Sequence, residues 1–365
     1  MNKKLLATAI GAALAAGPML AAQADVKVYG AAQAEYGDVS VEFDPILGIP
    51  DVDVTVIEDN ARGRFGVVAT EDLGGGLTGL ARFEWRVDTA DNDRGGNSLT
   101  GRESWVGLKG NWGTFKAGNL RSAYKYSGGV TYDPFVTTLL EARSSGGMTG
   151  NDLTILGSTG AFGSNNFVAN SISYETPNLQ GLKIWLTYSP DEAGNTRGDD
   201  GDYTASVKYG TKQFEVFAAA AHDAQENVLV GLTEPEYDSV KVGAKFELGE
   251  AGKIALQHEI GESNVFDVNL DFLTGAGPAL AELDTDLTTT FVGYQLPFGK
   301  TTLAVNWAQQ EFDTDILGTQ DVDYYAIGLI HKFSKQTRVY GGIANTDYDG
   351  FVEVETFSVG LRKDF

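Results

Sequence analysis

Arginines recur at strand spacing in the first third of the chain, in two pairs: Arg62 with Arg64, and Arg82 with Arg86. In an extended strand, residues two apart project from the same face, so Phe65 and Trp85 project from the opposite one. Each strand would therefore carry guanidinium groups on one side and an apolar surface on the other. A row of charges cannot face an apolar environment at acceptable cost, so it must face water or carboxylates.

The composition argues against several functional classes. The chain has 365 residues, with 50 acidic and 27 basic side chains, a formal net charge of −23 and no cysteine. Such an acidic surface is a poor binder of nucleic acid. Its three histidines, His222, His258 and His331, lie in separate predicted strands or at their ends, and none belongs to a G-x-S-x-G or H-E-x-x-H motif. We therefore do not expect an enzyme.

The N-terminus has the three parts of a secretory signal. Lys3 and Lys4 precede an apolar run, and Ala22-Gln23-Ala24 provides the small residues of a cleavage site. The pattern predicts a signal peptide over residues 1–24, removed before Asp25. Residues 25–365 would then form a single domain. That domain must be stabilised without disulfides, although it is exported.

Period-two alternation recurs throughout the rest of the chain, for example in YTASVKY, SVKVGAKFEL and TTLAVNWAQ. Seven short Gly-, Asn- or Pro-containing turns alternate with eight longer polar connections, which predicts 16 strands of about ten residues. In an up-and-down antiparallel sheet, this alternation puts every short turn at one end. Together with one apolar face per strand, it predicts an all-β, 16-stranded antiparallel transmembrane barrel, which closure stabilises without disulfides.

The chain ends in FSVGLRKDF, in which Phe357, Val359, Leu361 and Phe365 share one alternating face. This ending resembles the terminal signature of outer-membrane barrels, where the last phenylalanine is read by the barrel assembly machinery. Lys363 departs from the pattern, because many relatives carry an apolar residue there. The resemblance implies that Phe365 is an assembly signal.

The chain as a whole resembles the general (non-specific) porins of Gram-negative bacteria. The resemblance extends over essentially all of the mature sequence and includes DVKVYGAAQAEYG, ARGRFGVVATEDLGGGLTGLARFEWR and GRESWVGLKGNWGTFKAGN. It implies a homotrimer in the cell outer membrane, in contact with lipid and lipopolysaccharide. Each barrel would enclose its own water-filled channel for passive diffusion of small hydrophilic solutes and ions. A long third loop, here about residues 125–165, would fold inward and narrow the channel.

The resemblance also gives the arginines a place. The carboxylates of the third loop would face a basic wall across the narrowest part of the channel, with Asp133, Glu141 and Asp152 on the loop and Arg62, Arg64, Arg82, Arg86, Arg102 and Arg121 on the wall. Strand alternation puts Arg102 on the face opposite Trp105. An alternative is that the arginines only solvate the lumen or pair locally with Glu84, Asp72 or Asp88. Because the chain is acidic, we expect a weak cation preference at low salt.

Other interpretations stay open. A substrate-selective porin for sugars, phosphate or another anion would need a row of aromatic residues or a cluster of lysines along the third loop. The third loop shows neither clearly. An outer-membrane hydrolase would need a histidine beside an acid in the lumen or at its rim. No cofactor is expected. The outward connections are rich in acidic residues, which could hold Ca²⁺ or Mg²⁺ against lipopolysaccharide or could simply be solvated. The first of these connections includes Glu42, Asp53 and Glu58, and the seventh includes Glu311, Asp313, Asp321 and Asp323.

Overall fold

A computed structural model describes residues 24–59, 63–90, 99–142, 158–159, 167–190, 201–224, 236–268, 279–314 and 318–365. These ranges contain eighteen strands: β1 (Asp25–Phe43), β2 (Val52–Glu58), β3 (Arg64–Gly74), β4 (Leu77–Val87), β5 (Leu99–Gly110), β6 (Gly113–Arg121), β7 (Ser158–Thr159), β8 (Phe167–Glu175), β9 (Leu182–Ser189), β10 (Asp202–Gly210), β11 (Phe214–Ala224), β12 (Glu236–Glu247), β13 (Lys253–Val268), β14 (Ala279–Phe298), β15 (Thr301–Thr314), β16 (Gly318–Lys332), β17 (Thr337–Tyr348) and β18 (Val352–Asp364). No helix in these ranges is long and apolar enough to cross a bilayer.

Sixteen of these strands form a closed antiparallel barrel, as the sequence predicted. Each wall strand pairs with its neighbours in chain order, and β18 closes the sheet by pairing with β1. Strand β2 extends the line of β3, because the two pair with successive halves of β1. The two-residue β7 pairs with β13 and is not a wall strand. The pairing of β18 with β1 joins the two ends of the sheet, although β2 pairs only with β1 in the described ranges.

Alternation decides which residues face the surrounding membrane and which face the lumen. On β15, Trp307 is 41% exposed on the outer face, whereas Ala304 and Ala308 on the inner face are completely buried. The seven short turns occur where the sequence predicted them. The first contains Gly74, Gly75 and Gly76, all with positive φ, which only glycine adopts without strain.

At the opposite end of the barrel, the strands are longer than the predicted ten residues. Strand β14 has 20 residues and β1 has 19. The connection between β17 and β18 is a tight turn at Asp349 and Gly350, not the long loop that was predicted. Polar residues continue the ladder beyond the apolar band, because strand pairing satisfies their backbone groups just as well there. As a result, many acidic residues predicted in loops lie on strands: Glu42, Asp53, Glu58, Glu311, Asp313, Asp321 and Asp323.

The C-terminus meets β1 at the barrel closure. The Phe365 N–H donates to the Gly30 carbonyl at 3.0 Å, and the Gly30 N–H donates to the Phe365 carbonyl at 3.1 Å. A Cβ atom at Gly30 would lie 2.7 Å from the Arg64 carbonyl oxygen and 2.4 Å from the Phe365 ring, so this close approach requires glycine. The Phe365 side chain is 53% exposed on the same face as Leu361.

The beginning of the predicted third loop lies inside the barrel. The side chains of Tyr124, Tyr132, Phe135 and Leu140 are buried against inward residues of the wall from β11 to β17, including Phe217, Phe291, Ala304, Tyr324 and Ala344. The Tyr324 hydroxyl donates to the Leu140 carbonyl at 2.6 Å, and the Gly129 N–H donates to Gln257 at 2.7 Å. We call residues 122–142 the docked loop segment. It covers the inner wall from β11 to β17, and at its start Lys125 and Tyr126 also lie against the Phe167 ring on β8 and the Trp185 ring on β9. The wall from β3 to β6 lies on the opposite side of the lumen.

Candidate functional site

The half of the wall opposite the docked loop segment carries the predicted arginines. We call this set the arginine wall: Arg64 on β3, Arg82 and Arg86 on β4, Arg102 on β5 and Arg121 at the end of β6. The β3–β4 register puts Arg64 directly opposite Arg86 and Phe65 directly opposite Trp85. The Phe65 and Trp85 rings stack on the outer face with centroids 6.2 Å apart. Both arginines therefore face the lumen, as alternation predicted.

Two buried glutamates hold the arginine wall together. Glu84 accepts hydrogen bonds from the Tyr29 hydroxyl at 2.7 Å and from Arg82 and Arg102, each at 2.9 Å. Glu103 pairs with Arg121 and with the Arg82 NH1 atom at 3.6 Å. The local pairing left open by the sequence is thus present, with Glu84 as predicted and with Glu103, which the sequence analysis missed. Arg86 pairs with Asp88 at 3.1 Å.

The predicted orientation of Trp105 is wrong. Alternation puts it on the face opposite Arg102, but the β4–β5 register shifts between Phe83 and Trp85, so that β5 has one extra residue there. This bulge reverses the alternation and brings both side chains to the lumen. The Trp105 indole N–H donates to Glu103 at 3.0 Å, while Arg102 donates to Glu84.

Arg64 differs from its neighbours. Its buried Nε has no hydrogen-bond partner, and no carboxylate in the described ranges forms an ion pair with it. The positive charges of Arg362 and Arg102 and the negative charge of Glu84 lie near it. Arg82, Arg86, Arg102 and Arg121 each form an ion pair, so within the described ranges Arg64 is the member of the arginine wall whose charge is not paired.

Two further arginines extend the arginine wall and were missed by the sequence analysis. Arg338 on β17 lies directly opposite Arg362 on β18, and Arg362 lies opposite Gln33 on β1. Arg362 donates to the Gln33 side chain at 3.1 Å and pairs with Asp364 at 3.0 Å. This row joins the two ends of the chain, so only the barrel register could have revealed it.

The loop carboxylates were expected to face the basic wall across the channel, but they are buried. Asp133 is 4% exposed and Glu141 is fully buried. Asp133 accepts hydrogen bonds from the Asn306 amide at 2.7 Å, from the Phe135 N–H at 2.7 Å and from the Ala142 N–H at 2.9 Å. Burial, together with the nearby charge of Glu141, raises the pKa of Asp133 to about 7. The reason for the difference is that this carboxylate caps loop backbone groups that would otherwise be buried without partners.

Thr137 is the point where the docked loop segment contacts the row formed by Arg338 and Arg362. It has a φ of 85°, which is uncommon for a β-branched residue. Its N–H donates to Glu141 at 2.7 Å, and its hydroxyl accepts from Arg338 at 3.1 Å. Its carbonyl accepts from Gln33. All of its polar groups are therefore held, which fixes the strained backbone in place.

Several predicted residues lie outside the described ranges. These are Arg62 and Asp152 of the predicted constriction, residues 1–23 of the predicted signal peptide, and acidic residues of the predicted fourth loop such as Asp191 and Asp199. Within the described ranges, no group of three or more His, Asp or Glu side chains is arranged to hold a metal ion. The predicted Ca²⁺ or Mg²⁺ sites stay a prediction.

Comparison with known proteins identifies the family. A family model described as Gram-negative porin matches residues 7–350. The chain belongs to the Gram-negative porin family. The porin is 27% identical over 384 residues to the major outer membrane protein P.IB of Neisseria lactamica, with all of both chains covered. It is 26% identical to outer membrane porin protein 32 of Delftia acidovorans, with 82% of each chain covered.

This porin is also 30% identical to the major outer membrane protein P.IB of Neisseria gonorrhoeae. That match covers 59% of this porin and only about half (55%) of the relative's length. Among solved structures, an anion-selective porin from Comamonas acidovorans has a TM-score of 0.69 at 20% identity and covers 94% of this chain and 100% of its own. The relatives are major outer membrane proteins, so this porin is a protein of the Gram-negative outer membrane.

Proposed function

We propose that small hydrophilic solutes and ions diffuse passively through a passage between the docked loop segment and the arginine wall, and that this passage prefers anions. The observation that carries the proposal is an asymmetry of exposure within the arginine wall. The Arg82, Arg102 and Arg121 side chains are 19%, 16% and 26% exposed. The paired side chains of Glu84 and Glu103 are only 0% and 3% exposed.

This asymmetry decides which charge a passing ion meets. The glutamates lie beneath the guanidinium groups, and the loop carboxylate of Asp133 is buried and binds protons more readily than usual. A narrow channel with low-dielectric walls focuses the field of its fixed charges. At about 0.15 M salt the Debye length is about 8 Å, so acidic residues at the mouth are largely screened. We therefore replace the cation preference expected from the net charge with an anion preference.

The test is the reversal potential of the purified porin in a planar bilayer under a KCl gradient. The unmodified porin should prefer chloride, and Arg64→Glu should shift the reversal potential towards potassium. Lys212→Glu, the matched control, makes the same charge change in the exposed turn between β10 and β11. Equal reversal potentials for the Arg64→Glu and Lys212→Glu channels would contradict the proposal.

The remaining features follow from family membership and are proposed here as well. The porin forms a homotrimer, contacts lipopolysaccharide, requires no cofactor and reaches the outer membrane through the barrel assembly machinery. The exposed carboxylates at the outer strand ends are candidates for Ca²⁺ or Mg²⁺ contacts with lipid. Migration of unheated and heated samples on a denaturing gel tests the trimer, since a folded trimer migrates as one slow species that heating converts to monomer.

A further inference from the structure

Two tryptophan side chains face the lumen on β5 and β9, beside the start of the docked loop segment. Trp105 and Trp185 project inward from β5 and β9, and both are partly exposed. On the covered half, inward aromatic residues such as Phe291 and Tyr324 are fully buried and serve as packing. Packing does not account for Trp105 and Trp185, because a porin lumen is otherwise polar. Exposed indole faces in a solute path indicate contact with solutes.

A lysine lies between the two tryptophans. The Lys116 Nζ atom is 5.1 Å from the centre of the Trp105 ring and 5.7 Å from that of Trp185, both within cation–π distance. Lys116 also pairs with Glu175. An ammonium group has three N–H donors, and in the described ranges Glu175 is the only hydrogen-bond partner of this one. Two donors are therefore available to a ligand between the indoles.

The indole N–H groups are already used. Trp105 donates to Glu103 at 3.0 Å, and Trp185 donates to Ser173 at 2.7 Å. These bonds fix both rings, so a ligand can contact the parts of the ring faces that Lys116 does not cover, and not the polar edges. A fixed ring face suits a flat apolar group and offers no hydrogen bond to a sugar hydroxyl.

The site is continuous with the arginine wall. Glu103 joins Trp105 to Arg121, and the Arg121 guanidinium lies 4.5 Å from the centre of the Tyr126 ring. The Tyr126 ring lies in turn 6.3 Å from that of Trp185. Aromatic faces and positive charges thus alternate around one part of the lumen. This combination matches a ligand that is both flat and anionic.

We propose that Trp105, Lys116 and Trp185, with Arg121 and Tyr126 beside them, form a lumen site for small aromatic carboxylates. The ligand carboxylate would accept hydrogen bonds from Lys116, while its ring would stack on an indole face. The proposal rests on the solute path proposed above. A substrate-selective porin was expected to have aromatic residues along the third loop, where the sequence shows no clear set. The proposed site instead has its aromatic residues on the barrel wall, which favours the substrate-selective alternative.

The experiment measures how benzoate blocks the chloride current through single channels in a planar bilayer. Benzoate should block at concentrations at which cyclohexanecarboxylate, of equal charge and similar size but not flat, has little effect. Trp105→Ala should weaken the block about tenfold, as expected for loss of one aromatic contact. Trp105→Phe should retain most of it, and Lys116→Gln should weaken it. Trp307→Ala, on the outer face, is the matched control and should leave the block unchanged.

The outcomes separate this site from the proposed anion preference. Trp185 donates to Ser173 and not to Glu103, so Trp185→Ala should also weaken the block, while its reversal potential in a KCl gradient should stay that of the unmodified porin. If Trp105→Ala does not yield folded trimer, Trp105→Phe and Lys116→Gln provide the comparison. Equal block by benzoate and cyclohexanecarboxylate, or block by glucose without block by benzoate, would overturn the aromatic carboxylate site even if the channel proves anion-selective.

Discussion

Replacing Asp133 with asparagine should loosen the docked loop segment without disturbing the barrel. The carboxylate has two acceptor oxygens that together serve Asn306, Phe135 and Ala142. An asparagine side chain has the same shape but only one acceptor oxygen. That oxygen can still accept from Asn306 and Phe135, which both donate to Oδ1 of Asp133 in the unmodified porin. The Ala142 N–H would then face an NH₂ group and lose its partner in a buried site.

The magnitude follows from this single lost bond. Leaving a buried donor unsatisfied costs about 1–3 kcal/mol. If that cost falls only on the docked state, the population of undocked loop should rise about 5–150-fold. The barrel ladder does not use Asp133, so the temperature at which heated trimer converts to monomer on a gel should not change.

The assay is single-channel recording of Asp133→Asn. We expect added current noise and excursions to other conductance levels, since a loop that leaves the wall changes the cross-section of the lumen. Asp323→Asn is the matched control, because it makes the same chemical change in an exposed residue on the outer face of β16. If the Asp133→Asn and Asp323→Asn channels are equally quiet, the carboxylate does not hold the loop and this reasoning is refuted.

Three other outcomes are expected. Glu84→Gln removes the buried ion-pair partner of Arg82 and Arg102, so it should destabilise the folded trimer by about 3–5 kcal/mol. It should also shift the reversal potential further towards anions. An unchanged temperature of conversion from trimer to monomer on gels would contradict the expected destabilisation. Deleting Phe365 should reduce the yield of inserted trimer in cells far more than the loss of one exposed ring explains. Equal yields of folded trimer with and without Phe365, measured on heat-modifiable gels, would contradict this expectation. The intact mass of the porin purified from outer membranes should correspond to a chain beginning at Asp25, and a mass that includes residue 20 would disprove the predicted cleavage.

Strand faces and turns could be predicted from the sequence because they depend on local alternation. Phe65 and Arg64 point to opposite sides of the barrel wall for the same reason as Trp307 and Asn306. Trp105 was misplaced because a β-bulge changes the alternation by one residue, and no local pattern in β5 marks it. An undetected bulge therefore leaves the predicted number and order of strands correct, but it makes the prediction of which side chains face the lumen wrong.

The candidate site was less predictable because it depends on which strands meet. Arg338 and Arg362 join the arginine wall only through the closure of β18 on β1, which brings together residues far apart in the chain. For Asp133 and Glu141, the sequence shows acidic residues in a loop but not whether they face solvent or cap its backbone. The structure buries both. Long-range packing decides that question, and charge alone does not.

The most direct test of the solute path uses the absence of cysteine from the native sequence. Arg64→Cys would introduce a single thiol on the lumen face of β3, and Phe65→Cys would introduce one on the outer face of the adjacent position. A negatively charged, water-soluble thiol reagent is added while current is recorded under a KCl gradient. We expect a fall in conductance and a shift of the reversal potential towards potassium for the Arg64→Cys channel, with neither change for Phe65→Cys. Modification of Arg64→Cys that leaves both quantities unchanged would show that ions do not pass the arginine wall.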